Sequence, residues 1–159
     1  MRKSVLIAVV LGALVLAGCE HFAPKRYLPT LEKRSNPEVT VVNGKIIVPY
    51  LLVFRPDDKE VEITWRLPTD RKLRFPKNGI VMEGAVLEQV IRQPREGVAA
   101  AVALDPRQTE ITCKTQEGGL TFSCLNRNTK PGVLYKYTIR VIDETGKELV
   151  RDPFVMNDL

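Results

Sequence analysis

The sequence predicts an all-β fold, a small antiparallel β-sandwich that occupies residues 38–159 as one domain. Three observations carry this expectation. From Glu38 onward apolar residues recur with period two rather than 3.6, the mark of strands with one packed and one wet face. Eleven prolines and ten glycines cut the chain into about eight short apolar runs, the turn spacing of a sandwich. Two cysteines, Cys113 and Cys124, stand in adjoining runs and are placed to staple them.

Taken in order, Val39 to Val42 and Lys45 to Val48 flank Asn43-Gly44, a pair that tolerates the positive φ of a tight hairpin. Pro49 ends that hairpin. A turn at Arg55-Pro56-Asp57-Asp58 precedes the clearest strand, Glu60 to Leu67, where Val61, Ile63, Trp65 and Leu67 share the packed face. Arg71 to Phe75 repeats the alternation with Leu73 and Phe75 inward. Ile80 to Met82 and Val86 to Ile91 read as further strands bounded by Gly79, Gly84 and Pro94; the second also fits helical spacing. Val98 to Leu104 is open between strand, helix and loop. Glu110 to Lys114 and Leu120 to Cys124 flank Gly118-Gly119. A two-residue loop there sets Cys113 opposite Cys124, close enough for a disulfide, though at the less comfortable kind of cross-strand site, which a longer loop would avoid. Val133 to Ile142 is the longest strand, with Val133, Tyr135, Tyr137, Ile139 and Val141 inward and the tyrosine hydroxyls at the core's rim. Glu144-Thr145-Gly146 turns it into Lys147 to Val150. Asp152 to Met156 closes the chain, with Pro153 at an edge or bulge.

In outline this pattern resembles immunoglobulin-like or cupredoxin-like domains, without pointing to a specific family. A cupredoxin copper site needs two histidines beside a cysteine thiolate. The chain has one histidine, His21, which lies outside the predicted domain, so no copper is expected and no other cofactor is implied.

Ahead of the domain the sequence changes character. Met1-Arg2-Lys3 is followed by an apolar run from Val5 to Leu16, too short for a membrane-spanning helix, and then by Leu16-Ala17-Gly18-Cys19. This tetrapeptide resembles the lipobox of bacterial lipoproteins. The resemblance implies that residues 1–18 are a signal peptide and that Cys19 is acylated and becomes the new N-terminus, anchoring the protein to a membrane by covalent lipid. Glu20 in place of aspartate at the next position implies sorting to the outer membrane, on its periplasmic side. With residues 1–18 removed, Arg2 and Lys3 are lost, 22 basic residues face 19 acidic ones, and the balance falls from +5 to +3. Mild basicity without dense clusters, in an exported protein, argues against a nucleic-acid partner. Residues 19–37, interrupted by Pro24, Pro29 and Pro37, read as a flexible tether without regular structure.

The chemistry-bearing residues are few. The lack of histidine after His21 removes Ser-His-Asp and Cys-His machinery and zinc-type clusters. Glu60 and Glu62, with Asp57-Asp58 before them, read as solvated acids rather than a carboxylate pair across a cleft. No P-loop or dinucleotide glycine spacing occurs. The most distinctive charge feature is Arg71, Lys72, Arg74 and Lys77, four basic residues in seven positions. They read as the guard of an exposed sheet edge, or as a contact for an anionic partner such as lipopolysaccharide phosphates or cell-wall carboxylates. The sequence therefore predicts a non-enzymatic, lipid-anchored module that docks an envelope protein or complex. An anionic-glycan or lipopolysaccharide binder is the alternative, and a cell-wall hydrolase the remotest reading.

Overall fold

The computed structural model describes residues 28–87, 103–114 and 119–159, and in them the all-β expectation holds. The described strands are β1 (Thr40–Val42), β2 (Lys45–Ile47), β3 (Leu51–Phe54), β4 (Val61–Arg66), β5 (Ile80–Val86), β6 (Leu104–Asp105), β7 (Ile111–Cys113), β8 (Thr121–Asn126), β9 (Val133–Ile142), β10 (Glu148–Arg151) and β11 (Phe154–Asn157). A five-residue helix, α1 (Leu31–Ser35), precedes them, and Pro56–Asp58 form a single 3-10 turn.

The strands form two layers and a separate hairpin. One layer has the order β4-β8-β7; the other runs β3-β11-β9-β5-β6, with β10 also paired to β9. The three-strand sheet faces the larger one, in which β9 sits between its neighbours β5 and β11, so the described strands form a sandwich. The β1–β2 hairpin turns at Asn43 and Gly44, with φ of 51° and 70°, as the Asn-Gly signal requires.

Alternation along β4 and β9 builds the core. Ile63, Trp65, Tyr137, Ile139 and Val141 are fully buried between the layers. Trp65 and Tyr137 meet with ring centroids 5.2 Å apart, and the Trp65 Nε1–H donates to the Tyr137 hydroxyl at 3.2 Å. The tyrosine hydroxyls are thus inside the core rather than at its rim. The Tyr135 hydroxyl is also buried and has no hydrogen-bond partner among the described residues.

The structure corrects several sequence expectations. The sandwich is not wholly antiparallel: β3 lies parallel to β11, because the chain crosses from one layer to the other between them. Arg71 to Phe75 forms no strand. Leu73 and Phe75 are buried as the alternation requires, yet only Arg74 is bridged, to Ile142. Ile80–Val86 is one strand that passes through Gly84, with a register shift between Met82 and Gly84. A Cβ on Gly84 would lie 2.7 Å from the Asp105 carbonyl oxygen, so β6 can approach only a glycine there. Residues 88–91 of the Val86–Ile91 reading and 98–102 of the Val98–Leu104 reading lie outside the described residues, as do 115–118 of the hairpin loop.

The tether expectation also changes. Residues 31–35 form a helix whose first turn is capped by the Thr30 hydroxyl, accepting from the Lys33 N–H at 3.4 Å. Arg34 is buried. Its Nη1 donates to Asp58 Oδ2 at 2.6 Å and to the Val53 carbonyl at 2.6 Å, and its Nε to the Pro29 carbonyl at 2.9 Å. Beyond α1, Glu38 bridges Arg66 in parallel. The described part of the segment is therefore docked along β4 rather than free.

Side chains guard the sheet edges. Arg71 donates to the Val41 carbonyl at 2.6 Å and Arg151 to the Ile46 carbonyl at 2.8 Å, capping the two outer edges of the β1–β2 hairpin. The Gln108 amide both donates to the Ile111 carbonyl at 2.9 Å and accepts from the Ile111 N–H at 3.0 Å, imitating a further strand beside β7. Each cap satisfies backbone groups that would otherwise template another chain.

Candidate functional site

The residues singled out in the sequence fall in three places. Cys19 lies outside the described residues. Cys113 and Cys124 are directly paired across β7 and β8 and form a disulfide. Their site is of the close kind. The Arg127 N–H donates to the Glu110 carbonyl at 2.9 Å, which makes 110/127 a hydrogen-bonded pair. By alternation 113/124 is a non-hydrogen-bonded pair, and the Cα separation of 4.1 Å agrees. The register is therefore the one the spacing implies, while the site is the more comfortable kind.

The basic segment divides. Arg71 is committed to the Val41 carbonyl. Lys72, Arg74 and Lys77 are exposed, and none has an ion-pair partner among the described residues. The Arg74 backbone is fixed by two hydrogen bonds to Ile142, at 3.1 and 2.9 Å. This docks the segment against the last residues of β9. The Arg140 N–H donates to the Gly79 carbonyl at 2.7 Å and extends the same alignment.

A cleft of about 410 Å³ opens here, lined by Pro76, Lys77, Asn78, Val81, Arg140 and Glu148. Arg140 and Glu148 reach it from the β9–β10 hairpin. Their side chains are partly exposed and only loosely paired, with Nε to Oε1 at 3.6 Å. The cleft thus has two cations from separate parts of the chain, one amide, one rim carboxylate and an apolar floor of Pro76 and Val81. Such a set can hold an anionic group by charge-assisted hydrogen bonds. Sequence reasoning missed Arg140 because it lies on the outward face of a strand judged by its inward residues. The signal was the Glu144-Thr145-Gly146 turn, which fixes the β9–β10 pairing and so puts Arg140 and Glu148 on one face.

A second charged group sits further along the same sheet face. Lys136 Nζ lies 2.5 Å from Glu83 Oε2 and 3.6 Å from Asp152 Oδ2, and the Thr138 hydroxyl contacts both carboxylates. Burial pushes the Glu83 carboxyl up, but hydrogen bonds from Lys136 and Thr138 outweigh it and leave Glu83 below its ordinary range. Burial likewise pulls the Lys136 ammonium down, while Glu83 and Asp152 more than restore it. Both groups are held in their charged forms, which suits a cross-strand tie between β5, β9 and the bend before β11 and leaves no free base. Asp58, read from sequence as solvated, is instead the partner of Arg34; Glu60 and Glu62 are exposed.

Among the described residues no helix is long and apolar enough to cross a membrane, and no three His, Cys, Asp or Glu side chains converge to hold a metal ion. Comparison with protein-family models, with curated proteins and with solved structures finds no match to this chain.

Proposed function

We propose that this protein is a lipid-anchored docking module of the bacterial envelope, held on the periplasmic side of the outer membrane through Cys19 and acting without catalysis on a protein or complex of that compartment. The observation that carries the reading is Leu16-Ala17-Gly18-Cys19 behind a basic start and a short apolar run. The fold supports it. A β-sandwich with a disulfide suits an oxidising compartment, and its surface loops offer docking area.

The test is crosslinking in cells of the full-length protein, followed by affinity capture and mass spectrometry, with Cys19→Ala as the localisation control. One abundant envelope protein, lost with the anchor, supports the reading. Turnover of cell-wall material that disappears with Glu60→Gln or Glu62→Gln would replace it with the hydrolase reading.

The second reading is an anionic-glycan or lipopolysaccharide binder that uses the 71–77 segment. Its specific support is the exposure of Lys72, Arg74 and Lys77 without ion-pair partners among the described residues. Charge reversal at Lys72 and Arg74 that leaves retention on cell-wall material unchanged sinks it.

A further inference from the structure

We infer that the cleft lined by Lys77 and Arg140 is a binding site for the carboxylate-bearing peptidoglycan of the cell wall. The inference narrows the glycan-binding reading, placing the contact at Lys77 and Arg140 rather than at Lys72 and Arg74, so unchanged retention after charge reversal at Lys72 and Arg74 sinks the broader reading without touching the cleft.

The place of the cleft follows from the topology. Arg34 ties the Pro29 carbonyl to Val53 and Asp58, at the end of the sandwich where β4 begins. Val61 at the start of β4 is paired with Asn126, whose amide donates to Asn157 at 2.8 Å, and Asn157 is paired with Val133. Pro29 therefore enters at the Val133 end of β9. The cleft lies at the other end, where Arg140 is held against Gly79 and Ile142 against Arg74. The ten residues of β9 separate these ends by roughly 30 Å at about 3.3 Å per residue, so Pro29 does not obstruct the cleft.

The chemistry follows from the lining. Arg140 offers a planar fork suited to a carboxylate, and Lys77 is a second cation in the lining. Asn78 can donate to and accept from sugar hydroxyls, while Pro76 and Val81 give the ring an apolar floor. At about 410 Å³ the open cleft is large enough for one or two sugar rings. Glu148 already occupies the Arg140 guanidinium weakly, at 3.6 Å, so an incoming carboxylate competes with it. Arg71 takes no part, since its guanidinium caps Val41.

The experiment uses the full-length acylated protein in phosphatidylcholine vesicles, mixed with purified peptidoglycan sacculi and scored by co-sedimentation. Acylation of Cys19 is checked by intact mass on the same preparation. The expected result is capture that weakens about tenfold in Arg140→Gln and in Lys77→Gln, as loss of a charge-assisted hydrogen bond implies. Capture should tighten in Glu148→Gln and stay unchanged in Arg71→Gln, which separates the cleft from general basicity. Adding phosphatidylglycerol to the carrying vesicles should leave capture unchanged. Equal capture by all variants overturns the inference, as does competition from the vesicle's own anionic lipid, preference for lipopolysaccharide micelles, or cleft-dependent capture of an acidic protein instead of sacculi. Protein without acyl mass at Cys19 removes the anchor reading and leaves the cleft to be judged by the same variants. Acylated protein whose variants bind alike removes the cleft and leaves the anchor standing.

Discussion

Arg34 closes on Asp58 through two contacts, Nη1 to Oδ2 at 2.6 Å and Nη2 to Oδ1 at 3.2 Å, with both side chains buried. The pair joins a segment ahead of the sandwich to the corner between β3 and β4. The guanidinium also lies 5.8 Å from the Phe54 ring centroid, so it fills apolar space as well as carrying charge.

Removing one partner should therefore cost more than a surface ion pair. Arg34→Ala or Asp58→Ala leaves a buried charge uncompensated, which typically costs about 3–5 kcal/mol. Asp58→Ala also removes the acceptor of the Arg55 N–H. Chemical denaturation measures the loss, and limited proteolysis should show new cleavage within 28–37. A loss below about 1 kcal/mol would class the pair with solvated surface bridges.

The Glu83–Lys136 tie sets a pH dependence at both ends of the scale. Glu83 is depressed below its ordinary value of 4.5, so its contribution is complete above that value and is lost as pH falls through the lower, folded-state value. Lys136 is raised above 10.5, so its contribution is complete below that value and is lost as pH rises through the higher one. Denaturation midpoints measured across pH should therefore fall at both extremes. Glu83→Gln should flatten the acid limb and leave the protein less stable at neutral pH. An acid limb unchanged by Glu83→Gln would show that other carboxylates set it.

The Cys113–Cys124 bridge closes a loop with a sequence separation of 11. Chain-entropy reasoning gives it about 3 kcal/mol. Reduction, or Cys113→Ala with Cys124→Ala, should lower the unfolding free energy by that amount without unfolding the β4-β8-β7 sheet, since Phe122 and Ile111 stay buried beside the bridge. An intact-mass shift of zero on reduction would show that the bridge does not form.

Trp65 and Tyr137, both fully buried, couple the two layers by one hydrogen bond. Tyr137→Phe keeps the ring and leaves the indole N–H without its acceptor, at a cost of about 1–3 kcal/mol. Trp65→Ala should cost about 3–5 kcal/mol by cavity formation. Tryptophan fluorescence reports on Tyr137→Phe directly, as Trp65 is the sole tryptophan; Trp65→Ala removes that signal and is followed by circular dichroism. A red-shifted native emission in Tyr137→Phe would mean that the layers have opened instead.

The sequence carries the core well and the outer surfaces poorly, for a physical reason. Alternation in β4 and β9 is written in apolar side chains, so Val61, Ile63, Trp65, Tyr137 and Ile139 all face where period two puts them. The Asn43-Gly44 turn is equally local, and the cysteine spacing shares the observed register. What was not legible depends on contacts distant in sequence. Arg34 reads as a tether residue until Asp58, 24 positions away, is folded beside it. Arg71 reads as one of four free cations until Val41, 30 positions away, presents its carbonyl. Lys136 and Thr138 are buried on the outward face of β9 because Glu83 and Asp152 come to them from other segments. The parallel β3–β11 pair likewise joins segments about a hundred residues apart, a pairing that no local turn signal announces. In the candidate site, Lys77 was legible from local charge, whereas Arg140 needed the hairpin register.

The proposed lipid anchor is tested by the intact mass of the protein purified from the membrane of a bacterial host, wild type against Cys19→Ala. The wild-type chain should begin at Cys19, lack residues 1–18 and carry the added mass of acyl chains, with Cys19→Ala unacylated and lost from the membrane. A wild-type chain that keeps residues 1–18, or begins elsewhere without acyl mass, would contradict it.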